Sequence, residues 1–512
     1  MKKLLILSLV SLALTGCDFN FGPKPQEPVD PVDPEPVNPD PVNPDPVKPD
    51  PEPEPIIDYT ESIYSVQNED EMYKKLYNKQ NKISMVLDFS NEAIANLQEY
   101  GNTYTIQKDM YHPCTMTLNI NEETYTYEEV GARMKGNTSR TDSFVKDDYS
   151  FDRNRFLNLK LSFSQTFDDE EDNDYYIREW ESKDIRKERK NRRLGGQKKI
   201  DLKWNKNFDQ TFTRASYCLY AYEQEGIPAQ KDNIIQVTIK DDVDQVTFLM
   251  DMMESVDEIF TTSHFESEDS KGNLYKSLYG GDGPADYSRS SLKSVGIETP
   301  SWTPIYDLKT NDDEPDHTLL TNLVTTLNED KRSATEFKST LDSMVDVDEF
   351  LKYSALSWVI GNPDDMRNNY NNYYTYFRSS DNKLVIIPYD VDRCFGIIQD
   401  WAIHTESYAF DSFKQVVTGE DLRNPLFYRT FLTGTSWYGE NFENITEYKQ
   451  RYAHYCYVYS QKYLNKDKFA EFTNQFPWVS KDISKGGGSN MTFARYAEAK
   501  LKMAPNGDPF VK

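Results

Sequence analysis

The side chains best suited to chemistry fall between residues 361 and 396. Asp364 and Asp365 end the run Gly361-Asn362-Pro363-Asp364-Asp365. Asn372 opens Asn372-Tyr373-Tyr374-Thr375-Tyr376, and Asp390 and Asp392 follow the apolar run Leu384 to Tyr389. Tyr373 to Phe377 and Lys383 to Tyr389 read as a hairpin around the polar turn Ser379-Ser380-Asp381-Asn382. Asp390 and Asp392 stand two apart where its second strand ends. In extended geometry both carboxylates project to one face and can meet one cation. Two hard oxygen ligands beside a cleft suit Mg²⁺, which completes its shell with waters and substrate phosphates, and Asn372 could add a carbonyl oxygen. Asp364 and Asp365 lie in the loop after an apolar helix, where a carboxylate could receive a hydroxyl proton. A loop carboxylate, an Asn, a hairpin and a metal-binding Asp, in that order, make the arrangement used for phosphoryl transfer. Each acidic pair alone would serve equally as a turn or helix cap; their order carries the reading.

Other chemistries find less support. There is no Walker-type phosphate loop and no GxSxG, and Gly486-Gly487-Gly488 after Lys485 reads as a flexible turn. His112, His264, His317, His404 and His454 show no HExxH spacing, which argues against a zinc hydrolase. A glycoside hydrolase with an Asp pair as acid and nucleophile would suit the many aromatics, but leaves the order of the other blocks unexplained.

Asn371-Asn372-Tyr373-Tyr374, a turn, then Ile387-Pro388-Tyr389-Asp390-Val391-Asp392 and Phe395-Gly396 resemble the signature of the CotH family of spore coat kinases. Upstream blocks are similar in the same order: Gly131-Ala132-Arg133-Met134-Lys135-Gly136-Asn137-Thr138-Ser139-Arg140, then Lys199 to Trp204 with Phe212-Thr213-Arg214 and Gly226-Ile227-Pro228-Ala229, then Met252 to Phe260 with Gly272 to Lys276. The resemblance spans about residues 125 to 400. It implies an α+β fold distantly like that of protein kinases, with a β-rich N-terminal part and a helical C-terminal part. It also implies ATP and Mg²⁺ or Mn²⁺ as cofactors, and serine or threonine phosphorylation of a protein acceptor. Carried over by residue, Asp364 is the catalytic carboxylate, Asp390 the metal ligand, and Asp392 and Asn372 its helpers. Arg133, Lys135 and Asn137 lie near the phosphates. Lys160, Lys203 and Lys276 are the cations for phosphate contact, the choice among them left open, and Glu254 would orient one of them. The chain departs from the family pattern in three places: Tyr389 stands where Trp is usual, Ala215 where Glu is usual, and the segment from Asp364 to Asn372 is longer. The last keeps Asp365 as a rival to Asp364. The competing reading is an inactive kinase-like binding or adhesion module that holds a surface partner or polysaccharide.

The elements that must position these residues begin well inside the chain. Met1-Lys2-Lys3 and the apolar run Leu4 to Leu14 read as a signal peptide, too short to span a bilayer as a helix. Leu14-Thr15-Gly16-Cys17 reads as a lipoprotein cleavage site, with Cys17 acylated, over residues 1–17. That predicts an exported protein, lipid-anchored to the outer face of the membrane and touching it only through the anchor. Residues 18–55 are a slipping Pro-Val-Asp/Asn-Pro repeat that cannot bury apolar surface. At ~3.1 Å per residue this stretch reaches on the order of 100 Å. It reads as a stalk, or else as a PxxP ligand.

The body, residues 56–512, has Tyr 35 and Phe 27 to build its core. A net charge of −27 argues against nucleic-acid binding, which needs a positive field. Cys114, Cys218, Cys394 and Cys456 are too few and too scattered for a disulfide framework or a zinc site. Residues 62–131 read as short strands and turns, and Phe156 to Phe163 as a strand. Asp168 to Arg193 reads as a solvated loop or a patch for phosphate or acidic groups. Thr211 to Gln224 and Leu341 to Ile360 read as helices, and Ile234 to Lys240 with Val246 to Met250 as a strand pair. A helical extension covers about 410–512.

Overall fold

The computed structural model describes residues 64–397 and 423–510, except 102–108, 137–143, 156–157, 169–174, 206–207, 300, 331, 431–433, 436–440, 443 and 486–489. Cys17, the signal peptide, the stalk, Asn137 and the Gly486 to Gly488 turn lie outside the described residues. Ile56–Lys512 forms one compact unit. No helix among the described residues is long and apolar enough to cross a membrane.

The fold is α+β. Seven strands close a barrel: β1 (Ile83–Asp88), β2 (His112–Ile120), β3 (Glu123–Met134), β4 (Leu159–Ser162), β5 (Lys199–Trp204), β6 (Asp232–Lys240) and β7 (Gln245–Glu254), in the order β1-β2-β3-β4-β5-β7-β6. All neighbours are antiparallel except β6 and β1, whose parallel pairing, Ser84 with Gln236 to Asp88 with Lys240, closes the ring. Burial alternates along β2 without a break, as a half-buried strand requires. The interior holds Met85, Leu118, Ala132, Leu161, Leu202 and Val237, plugged by Tyr73 and Leu76 of α1 (Glu71–Tyr77) and Ile94 of α2 (Asn91–Gly101).

These helices correct the expectation of strands and turns over 62–131. Asp70 nucleates α1 by accepting the amides of Met72 and Tyr73, a short-range signal with little periodicity to announce it. The strand pair β6–β7 and the helix α4 (Arg214–Gln224) stand where expected; α3 (Lys183–Lys190) and α5 (Glu258–His264) complete this half. α3 interrupts the stretch expected as a solvated loop, with the Ser182 hydroxyl accepting the Ile185 amide at its start.

A second sheet runs β11-β12-β8-β13-β14, with β8 (Leu274–Ser277), β11 (Val295–Gly296), β12 (Tyr306–Leu308), β13 (Tyr373–Phe377) and β14 (Leu384–Pro388); β9 (Tyr279–Gly280) and β10 (Gly283–Pro284) form a separate small ladder. The expected hairpin is β13–β14, buried along its whole length. It packs on a helical half: α6 (Thr318–Glu329), α7 (Ala334–Met344), α8 (Val347–Ile360), α9 (Pro425–Tyr428), α10 (Thr446–Tyr463), α11 (Lys466–Thr473) and α12 (Phe493–Leu501). The single helix expected over 341–360 is two, because Val345 is extended and Asp346 restarts the turn by accepting the Glu349 amide at 3.2 Å. Trp358, Tyr217, Phe427, Tyr452 and Phe493 share this larger core. The four cysteines named above are free thiols, all buried.

Candidate active site

Strand β5 carries charge on one face only. Ile200 and Leu202 point into the barrel, so Asp201 and Lys203 stand on its outer face. The register sets Arg133, Lys160 and Asp201 side by side across β3, β4 and β5. Asp201 lies 2.5 Å from the Lys135 ammonium and 3.2 Å from that of Lys160, and accepts the Ser255 hydroxyl at 3.1 Å. Burial pushes its carboxyl up, but the two lysines outweigh it and hold Asp201 well below the usual carboxylate range. Lys160 is lowered by its burial, which its proximity to Asp201 only partly offsets. Arg133 turns aside to Asp109 and lies 5.5 Å from the Tyr111 ring.

Two residues along β5, Lys203 reaches the loop after β14. Its ammonium pairs with Asp390 and lies 3.5 Å from Asp392. The two carboxylates therefore converge on one positive charge, though not by the expected geometry. Strand β14 ends at Pro388, and Asp390 has φ +52, a left-handed conformation, so a turn brings them together where extended backbone was expected. Tyr370 (φ +52) and Asn372 (φ +55) are left-handed as well, a concentration of costly backbone found where a fold over-determines a site. About a third of the Asp390 and Asp392 side chains stays exposed (37% and 32%), so both remain reachable. Against the upward pull of burial, Lys203 holds Asp390 below its usual range; Asp392, lifted by burial and by Asp390, is pushed up to about 6. Burial would lower Lys203, but the two aspartates reverse that and raise it. Between the two groupings lies Tyr389, with the Lys276 ammonium 5.3 Å and the Lys135 ammonium 5.7 Å from its ring. This aromatic face is kept although Trp is absent.

The neighbours Asp364 and Asp365 have different surroundings. Gly361, left-handed at φ +65, ends α8 and turns the chain into their loop. Asp365 is buried; it accepts the Ser357 hydroxyl, the amides of Arg367 and Asn368 at 3.0 Å and the Asn368 side chain at 3.2 Å. Burial pushes it up to about 6. Asp364 is partly exposed and is held by the side-chain amides of Asn369 at 2.7 Å and Asn371 at 3.2 Å, both on Oδ1. Burial and the nearby Asp390 raise it, against those two hydrogen bonds. Asn372 ties the pieces together: its side-chain nitrogen donates to the Asp364 carbonyl at 2.9 Å, and its own carbonyl accepts the Tyr389 amide at 3.1 Å.

The structure thus gathers Lys135, Lys160, Lys203, Lys276, Asn372, Asp390 and Asp392, with Asp364 beside them, between the outer face of the barrel and the second sheet. Glu254 does not join them. The Tyr73 hydroxyl at 2.5 Å, the Lys231 amide at 2.7 Å and His264 at 2.8 Å take up its carboxylate, because the end of β7 turns it toward α1. Asp201 takes the role of lysine partner instead. Its sign in the sequence is the alternation of Asp201 and Lys203 with Ile200 and Leu202.

A cleft runs from Lys203 and Asp392 past Trp204, Ala215, Leu249 and Met250. Ala215, at the position of the usual Glu, adds no charge to a wall that sets Ile234, Leu249, Met250 and Met253 beside Asp209 and Arg214. Asp251, paired across β5–β7 with Lys203, lines it too and is raised well above its usual range, by burial and then by Asp232. Arg214 braces the acidic loop, its guanidinium donating to the Phe395 carbonyl at 2.9 Å and lying 3.3 Å from Asp209. Sequence reasoning missed Asp201, Asp209 and Asp251, which have meaning only through strand register.

Residues 160–476 match the family described as CotH kinase protein. The match opens within β4 and closes beyond α11, so it includes the acidic loop and leaves out β1 to β3. No curated protein matches the chain.

Proposed function

With a match over more than half of its length, the chain belongs to the CotH kinase protein family, and we propose that it transfers the γ-phosphoryl group of ATP to a serine or threonine hydroxyl of a protein acceptor. The observation that carries this reading is the convergence of Asp390 and Asp392 on a single positive charge, with Asp364 alongside. Two carboxylates with solvent access, and an Asn372 whose amide nitrogen is already engaged, are a donor set that fits Mg²⁺ or Mn²⁺ held mainly by substrate phosphates and water. Among the described residues no group of three or more His, Cys, Asp or Glu side chains could hold a metal ion. When bound, such an ion neutralises phosphate charge.

The chain's own residues supply the rest. Asp364 orients the acceptor hydroxyl and takes its proton as the oxygen bonds to phosphorus and ADP departs. Asp365, surrounded by donors, shapes the loop. Lys276, on β8 and without an ion pair among the described residues, meets the phosphates. Lys135 and Lys160 add positive field from the barrel side, and the cleft beside Lys203, walled in part by Leu249 and Met250, receives the base. In this reading the barrel and the helical half are the two lobes of a distant kinase-like fold. The body is exported and held by an acylated Cys17 on a stalk of residues 18–55, and the membrane meets the chain through that anchor. One observation favours the alternative of a binding module: Lys203 already occupies the place a cation would take.

Labelled ATP with Mg²⁺ or Mn²⁺, supplied to the unit 56–512 beside Asp364→Asn and Asp390→Asn, tests the proposal. Metal-dependent labelling that both variants lose, by about 10²-fold or more, is the expected outcome. Absence of ATP binding in calorimetry would sink it in favour of the binding module.

A further inference from the structure

Helix α3 buries none of its residues, which is unusual in a chain so rich in aromatics. Arginines hold it in place. The Arg189 guanidinium lies 2.7 Å from the Glu129 carboxylate, and Arg178 pairs with the same group. Arg192 donates to the carbonyls of Phe163, Glu128 and Glu129 at 2.6–2.9 Å, and Arg186 pairs with Asp168. The lysines do the opposite. Lys183, Lys187 and Lys190 recur at i, i+4 and i+7, so they form one stripe along the helix, and all three are exposed. Among the described residues none of them has an ion pair. Planar guanidinium groups have gone to fixed carbonyls and carboxylates, and hydrated point charges have been left facing water.

The helix and the residues after it carry the charge opposite to the whole chain's, following a run, residues 168–181, of eight Asp or Glu against one Arg. Residues 183–199 hold nine Lys or Arg against two Asp or Glu, in a chain of net charge −27. Three exposed lysines along one helix face match a plane of repeated negative charges.

We infer that the Lys183, Lys187 and Lys190 stripe of α3 docks the body onto an anionic phospholipid surface. The attraction is electrostatic, about one increment per lysine within a Debye length of the headgroups. A tether of residues 18–55 would let contact of this weak kind suffice, because the surface never leaves reach. The acidic remainder of the body is repelled by the same surface, so docking also orients the molecule. The inference stands apart from the kinase reading, since no residue of the stripe belongs to the site.

The test is sedimentation of the unit 56–512 with vesicles of phosphatidylglycerol in phosphatidylcholine, against phosphatidylcholine alone, at about 0.1 M salt. Binding to the anionic vesicles only is expected. It should fall at least roughly tenfold in Lys183→Glu/Lys187→Glu/Lys190→Glu and persist in the triple Lys→Arg variant. A melting curve like the parent's shows the charge-reversed chain is folded; should it melt early, the triple Lys→Gln variant replaces it. Equal binding to both vesicle types, or undiminished binding by the variant, overturns the inference. So does capture by polyglutamate without vesicle binding, which would assign the stripe to an acidic protein.

Discussion

Strand β5 holds two charge groupings, two residues apart, that are opposites. Asp201 is one carboxylate between two ammonium groups; Lys203 is one ammonium between two carboxylates. The first is buried and fixed by strand register, with Asp201 only 1% exposed. The second spans from a strand to a left-handed turn, and its carboxylates are about a third exposed. Each leaves one charge unbalanced, positive on the barrel side and negative on the loop side. A nucleotide phosphate with its cation brings the opposite imbalance to each. The difference between the groupings separates what the fold needs from what a ligand would complete.

That comparison can be broken. Asp201→Ala strands two lysines away from solvent and should cost about 3–5 kcal/mol of stability, read from a denaturant midpoint. A loss below about 1 kcal/mol would mean the first grouping is no more structural than the second. Next in size is a pH effect that distinguishes Asp201 from Asp365, a buried carboxylate with neutral donors. Asp201 is depressed, so its contribution is full above the usual carboxylate range and is lost as pH falls below about 4. Asp365 is raised to about 6, so the stability its proton provides is full below about 4 and is lost as pH rises through 6. The span for Asp365 is on the order of 3 kcal/mol, and Asp365→Asn should lack that slope between pH 4.5 and 7. Parallel pH profiles for variant and parent would show that Asp365 does not titrate there. Smallest is Lys203→Met, which frees carboxylates that water can reach and should shift the unfolding midpoint by about 1 kcal/mol or less. A shift as large as that of Asp201→Ala would make the two groupings alike.

The hairpin β13–β14 and its acidic end were legible because both depend on neighbours in sequence: alternating aromatics, a polar turn, then Asp-x-Asp. The conformation of Asp390 was not, since a two-residue spacing predicts a shared face only in extended backbone. Asp364 and Asp365 look alike in the sequence, and they differ only through Ser357, Asn368, Asn369 and Asn371 folding around them. Glu254 is the lysine partner that the family resemblance implies, but strand register sets Asp201 beside Lys160, and no local pattern announces that pairing. The break between α7 and α8 hid inside a continuous apolar pattern, because one capping Asp346 outweighs periodicity.

The parallel seam between β1 and β6 has a consequence for how the chain comes to be folded. β1 is among the first strands made, yet one of its edges waits for β6, with β2, β3, β4, β5 and α4 in between. Contacts so distant along the chain form slowly, since loop closure precedes any gain. Until then β1 offers a row of unpaired backbone groups that another copy's strand could take. The stretch of synthesis between β2 and β6 is therefore when the molecule is most open to mispairing, and a chain halted there would keep that edge exposed.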